Sequence, residues 1–64
     1  MENKDSCIFR VIYKIYIDGK NTKKEADVVA TDFIEAAERV EKILNENGEN
    51  YTIHSVKFIN FFEN

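Results

Sequence analysis

From Cys7 to Ile17 the chain reads Cys-Ile-Phe-Arg-Val-Ile-Tyr-Lys-Ile-Tyr-Ile, its longest apolar run and one rich in β-branched and aromatic residues. Alternation puts Cys7, Phe9, Val11, Tyr13, Ile15 and Ile17 on one side, with Ile8, Arg10, Ile12, Lys14 and Tyr16 on the other. The first set is wholly apolar or aromatic, so the run predicts a central strand with that side toward a core. It ends at Asp18-Gly19, a hairpin turn signal. The chain then returns through Thr22 to Ala30 as a second strand. A two-residue loop pairs Phe9 with Val28, Val11 with Ala26 and Arg10 with Asp27, which sets apolar pairs inside and opposite charges outside. A four-residue loop over Asp18-Gly19-Lys20-Asn21 moves the pairing by two and leaves the faces unchanged.

Asp32 has the character of an N-cap, and Glu35 three residues on makes a capping-box-like pair with it. The predicted helix runs from Phe33 to about Asn47. Phe33, Ala36, Ala37, Val40, Ile43 and Leu44 fall at spacings of three and four and form one apolar stripe. Glu35 with Arg39, and Glu38 with Lys42, are i,i+4 pairs in the favourable orientation. Gly48 supplies a left-handed C-terminal cap. A third strand follows from Tyr51 to Phe62, and its alternation slips at His54-Ser55, because Ile53 and Val56 both want the core. A bulge there reconciles them.

The order strand, strand, helix, strand predicts an α+β fold of ββαβ type. Two layers are expected: a three-stranded mixed sheet of order 2-1-3, with one helix packed on one face. Sixty-four residues make one domain, 1–64, with residues 1–6 expected to be a frayed tail. A chain this short buries only about 60% of its unfolded surface. One cysteine excludes an intramolecular disulfide, and one Cys with one His falls short of a structural zinc site. Self-association or a partner is the remaining way to enlarge the core.

The other face of the sheet is left open and is expected to carry Ile8, Arg10, Ile12, Lys14 and Tyr16. Lys23, Glu25, Asp27 and Val29 join from the second strand, and Lys57, Ile59 and Phe61 from the third. A solvated sheet face should read polar, and this one holds five or six large apolar groups. Strands of eleven or twelve residues reach ~36 Å at ~3.3 Å each, whereas fifteen residues of helix cover ~22 Å, so the sheet should overhang its helix. The third strand is also an apolar edge ending in Phe61-Phe62, with little charge or proline to blunt it. Pairing of that edge across a two-fold axis predicts a homodimer with a six-stranded sheet. The plainer alternative folds the C-terminal Phe residues back over their own molecule. The expected interaction residues are Ile8, Ile12, Tyr16, Val29, Ile59, Phe61 and Phe62.

The net charge of −3 is unevenly spread. Residues 1–24 hold six basic and three acidic residues, net +3, while residues 25–64 hold three basic and nine acidic, net −6. An acidic total weighs against nucleic acid as the main partner, since phosphate binding needs a basic footprint. Arg10, Lys14, Tyr16 and Lys57 nevertheless offer cations beside an aromatic ring, as sheet-based RNA binders do. That resemblance is one of surface chemistry; no stretch matches the aromatic motifs of the RRM, whose order is βαββαβ. The basic turn Lys20, Lys23, Lys24 reads as a soluble hairpin tip.

Catalytic chemistry is sparse. Cys7 and His54 are the only neutral-pH nucleophile and base candidates, and no third group orients them. Cys7 reads as a small core residue and His54 as a surface or bulge residue. Glu35, Glu38, Glu41, Glu46 and Glu49 follow the solvated side of the helix and do not read as a metal cluster. No glycine-rich phosphate loop, CxxC, HExxH or EF-hand pattern occurs. The expectation is therefore no enzyme, no cofactor and no metal. The polar start lacks a signal-peptide core, no apolar run approaches the ~20 residues of a membrane span, and a lone thiol fits a reducing compartment, which together predict a cytoplasmic protein.

In size, charge and missing motifs the chain resembles small accessory proteins of phages and mobile elements, many of which bind and block a host protein. That resemblance implies an interaction module that binds and inhibits another protein, expected to be a homodimer on the strength of its open sheet face and third-strand edge. The acidic helix face, Glu35, Glu38 and Glu41, is then free for a second partner as a mimic of nucleic-acid charge. The alternative is single-stranded nucleic-acid binding through the open sheet face.

Overall fold

The computed structural model describes residues 6–62. Strand β1 spans Cys7–Ile17, β2 Lys20–Ala30, helix α1 Phe33–Glu46 and β3 Tyr51–Phe61. The sheet order is β2-β1-β3, with α1 against one face, as the sequence predicts. Both pairings are antiparallel, so the ladders are antiparallel throughout. The sheet is therefore antiparallel and not mixed as expected, because β2 and β3, which run the same way, are separated by β1 and never pair.

The hairpin takes the two-residue loop. Asp18 and Gly19 both have positive φ, 51° and 81°, the left-handed pair that lets a tight turn follow the twist of its strands. Register follows from it: Phe9 faces Val28, Val11 faces Ala26, and Arg10 faces Asp27. The four-residue loop is excluded. β2 begins at Lys20 rather than Thr22, because the shorter loop lets pairing start at Ile17.

β3 has two register shifts against β1. Val56 faces Val11 and Ile53 faces Tyr13, leaving His54 without a partner, which is the expected bulge. A second shift leaves Ile59 unpaired between Phe58, opposite Phe9, and Asn60, opposite Ile8. Pairing continues to Ser6, whose carbonyl accepts from the Phe62 N–H at 2.9 Å. Ser6 is therefore tied to the sheet rather than frayed, and residues 1–5 lie outside the described set.

At the start of α1 the Asp32 side chain accepts from the Glu35 N–H at 2.7 Å. Glu35 reaches back one residue further than a capping box would, to the Thr31 N–H and hydroxyl at 2.7 and 2.8 Å. The C-terminus closes as a Schellman motif: Glu49 N–H donates to Leu44 C=O and Gly48 N–H to Asn45 C=O. Gly48 holds a φ of 71° there.

The core joins Cys7, Phe9, Val11, Ile15 and Ala30 of the sheet to Ala36, Val40 and Leu44 of the helix. The buried stripe is narrower than the sequence suggests. Phe33 and Ile43 belong to it by spacing yet are exposed. Fourteen residues of helix cover ~21 Å, whereas the molecule is 47 Å long. The helix starts where β2 ends, beside Cys7 and Phe61. It stops before Tyr51, which faces Ile15, so the hairpin tip from Tyr16 to Asn21 extends past it.

Candidate functional site

Antiparallel partners share a face, so the ladder assigns each side chain. On the helix side, Val28, Phe9 and Phe58 form one row across the sheet, and Ala30, Cys7 and Phe61 the next. Phe61 therefore stands on the helix face and not on the open face where simple alternation puts it, because the bulge at Ile59 inserts one residue and inverts everything after it.

The result is an aromatic corner at the start of the helix. Phe33 and Phe9 have ring centroids 4.9 Å apart, Phe9 and Phe58 6.0 Å, and Phe58 and Phe61 5.2 Å, all tilted or edge-on. Phe9 lies at the bottom, 3% exposed, while Phe33, Phe58 and Phe61 remain 53%, 45% and 61% exposed. Ile59, at the end of β3, and Phe62, just past it, are exposed as well. Sequence reasoning singles out Ile59, Phe61 and Phe62 but misses Phe33 and Phe58. The available signal is Phe58 falling opposite Phe9 once a bulge is placed at His54.

The outer edge of this stretch is blunted. Phe62 N–H points to β1, so the neighbouring Phe61 N–H points outward, and the Asn60 side-chain carbonyl accepts from it at 2.8 Å. With two bulges as well, β3 does not present the flat edge expected from its lack of charge.

The open face is arranged in rows across β2, β1 and β3: Val29, Ile8 and Asn60; Asp27, Arg10 and Lys57; Glu25, Ile12 and Ser55; Lys23, Lys14 and Thr52. Ile12 is only 5% exposed, enclosed at the sheet centre by Arg10, Lys14, Glu25 and Ser55, so it offers little contact surface. Ile8 is half-buried, while Val29 and Tyr16 are exposed. Arg10 makes two hydrogen bonds to Asp27, at 2.9 and 3.2 Å, with Glu25 at 3.8 Å. That bond holds the Asp27 carboxyl below its ordinary value. Lys14 and Tyr16 line a shallow hollow of about 230 Å³ with Asn21, Asn50, Tyr51 and Thr52. Arg10 and Lys57, also expected on a nucleic-acid face, lie outside it.

On the helix, Glu35 is held by Thr31 and paired with Arg39 at 3.2 Å. The two Thr31 hydrogen bonds put its carboxyl below the usual range, and Arg39 adds to the effect. Glu38 is exposed and Glu41 half-buried. Among the described residues the ion pairs are those of Arg10 and Arg39; the expected Glu38–Lys42 contact is not made, as the entropy of two long exposed side chains outweighs a screened attraction. Cys7 is buried in the core and faces Phe61, whereas His54 is the exposed bulge residue, so the two are not brought together. The described residues contain no group of three or more His, Cys, Asp or Glu able to hold a metal ion, and no helix long and apolar enough to cross a membrane.

Comparison with protein-family models, curated proteins and solved structures finds no match to this chain.

Proposed function

We propose that this protein is a non-catalytic interaction module that works by burying its aromatic corner against protein surface. The observation that carries the reading is the graded exposure of one ring cluster: Phe9 is sealed, while Phe33, Phe58 and Phe61 around it stand about half in water. Three large aromatic rings left open, against nine buried apolar residues among those described, make a patch of the kind that marks interfaces. The blunted edge of β3 supports contact through side chains rather than through an added strand.

The reading extends to an accessory protein of phage or mobile-element type that inhibits its partner, with the acidic helix residues Glu35, Glu38 and Glu41 as a second contact face. The lone buried thiol suits the cytoplasm. Nucleic-acid binding is the weaker reading, because Arg10 is already engaged by two carboxylates.

The test is site-specific photo-crosslinking in the producing cell, with a benzophenone amino acid at Phe61 or at the similarly exposed Ile43. Crosslinked protein adducts concentrated at position 61 are expected. Equal labelling at both positions, or none at 61, overturns the reading.

A further inference from the structure

We infer that the corner is covered by a second copy of this chain, in a two-fold dimer held by side chains and not by a shared sheet. The inference rests on the interaction reading above and names its occupant.

Area is the first argument. Phe33, Phe58, Ile59, Phe61 and Phe62 together expose somewhat more than two whole side chains. At ~200 Å² for a large side chain that is roughly 500 Å² per copy. Two copies meeting there bury about 1,000 Å² from these five groups alone, which reaches the lower bound of a specific interface before backbone and rim are counted. β3 is an edge strand, so a single partner capping its end touches Phe61 on one face and Phe62 on the other.

Charge is the second. Residues 58–62, Phe-Ile-Asn-Phe-Phe, carry no ionisable group, and Phe33 and Phe9 add none. Such a patch holds nothing with which to select a charged partner, but offers both ring faces and ring edges, which is self-complementary. Two acidic groups, Asp32 and Glu35, flank Phe33, but Asp32 accepts from the Glu35 N–H and Glu35 is held by Thr31 and Arg39, whereas Glu38, Glu41, Glu46 and Glu49 lie further along the helix or beyond it. At this end of β3, strand pairing is hindered by the bulge at Ile59 and by the Asn60 cap on the outward Phe61 N–H. What remains is a contact of rings against rings.

The experiment is light scattering after size exclusion on the full chain across a wide concentration range. It compares the wild type with Phe61→Lys, Phe33→Lys and, on the open face, Tyr16→Lys, all checked for folding by circular dichroism. The expected result is a wild-type mass twice that of the chain, halved by Phe61→Lys and by Phe33→Lys and unchanged by Tyr16→Lys. Phe33 and Phe61 lie on different elements, so one folded variant is enough. A wild type that stays monomeric at high concentration overturns the dimer and leaves the interaction reading standing, with the corner free for a different protein. A dimer that survives both corner changes and is lost in Tyr16→Lys overturns the inference and moves the interface to the open face. A dimer that survives all three overturns the inference and removes the support for the corner as contact surface.

Discussion

Phe9 and Phe58 face each other across β1 and β3 with ring centroids 6.0 Å apart at 75°, yet one is sealed and the other is nearly half in water. The difference comes from position. Phe9 is on the central strand with β2 and β3 on either side and the Phe33 ring against it, whereas Phe58 lies on an edge strand. Phe9→Ala is expected to cost about 3–5 kcal/mol, the range for a buried phenylalanine. A 64-residue chain has roughly 3–10 kcal/mol in all, so this change leaves it marginal or unfolded. Phe58→Ala, measured where the chain is monomeric, is expected to cost only about 1–2 kcal/mol, because half the ring is already in water. Urea unfolding curves compare the two; equal losses would show that Phe58 is covered within its own molecule.

Acid should weaken the fold in a defined direction. Glu35 is depressed by its bonds from Thr31 and by Arg39, and Asp27 by its bond from Arg10. A carboxyl depressed in the folded state contributes stability above its unfolded value, and that contribution is lost as pH falls through the folded value. The urea midpoint should therefore hold near neutrality and fall below about pH 4.5, the ordinary glutamate value. Glu35→Gln should flatten part of that fall and lower the neutral-pH midpoint. An acid limb with the same slope in wild type and variant would mean that the Thr31 bonds do not form in solution.

Gly48 tests the helix stop without any steric complication. Its φ is 71°, and an added Cβ would meet nothing within 4 Å. Gly48→Ala is therefore expected to cost about 1 kcal/mol from backbone strain alone, and Gly48→Asn less, since asparagine tolerates the left-handed region. Thermal melts of the two decide it. A neutral alanine would show that the last turn frays and that the Glu49-to-Leu44 bond contributes little.

The nucleic-acid alternative turns on Arg10. With Asp27 and Glu25 beside it, the row that also holds Lys57 presents little free positive charge. Fluorescence anisotropy at low salt should show no saturable binding of a single-stranded oligonucleotide by the wild type. Asp27→Asn with Glu25→Gln frees the guanidinium and should raise any residual affinity. Tight wild-type binding that falls steeply with salt would reverse the ranking of the two readings.

The parts of the fold that are legible in the sequence are those where apolar and polar residues differ. Ile53 and Val56, three apart and both wanting the core, reveal the bulge at His54 by pattern alone. The second bulge is not legible, because Phe58, Ile59, Phe61 and Phe62 are all apolar and alternation among them carries no information. Without that bulge Phe61 falls on the wrong face and the corner stays concealed. Ile12 is misjudged for a different reason: pattern assigns a face, but burial at the centre of a sheet depends on the length of the neighbours, here Arg10, Lys14 and Glu25. The Arg10–Asp27 pair is legible only as one of two registers, since the four-residue loop moves the pairing by two; the positive φ of Asp18 and Gly19 selects the loop that makes it.

The bulge at His54 makes a prediction that the burial pattern alone does not. Ile53 faces Tyr13 and Ser55 faces Ile12, so removing His54 leaves the two as consecutive, regularly alternating partners. No other side chain changes face. Deletion of His54 is therefore expected to cost about 1 kcal/mol or less and to leave the circular dichroism spectrum intact, the loss coming from a change in local twist. Deletion of Val11 is the contrast. Val11 is fully buried and paired on both sides, and shortening β1 by one residue turns every later side chain of that strand to the opposite face. That chain should not fold. If the His54 deletion also fails to fold, the bend made by the bulge is needed to carry β3 past the helix, and the extra residue is a structural requirement of the fold.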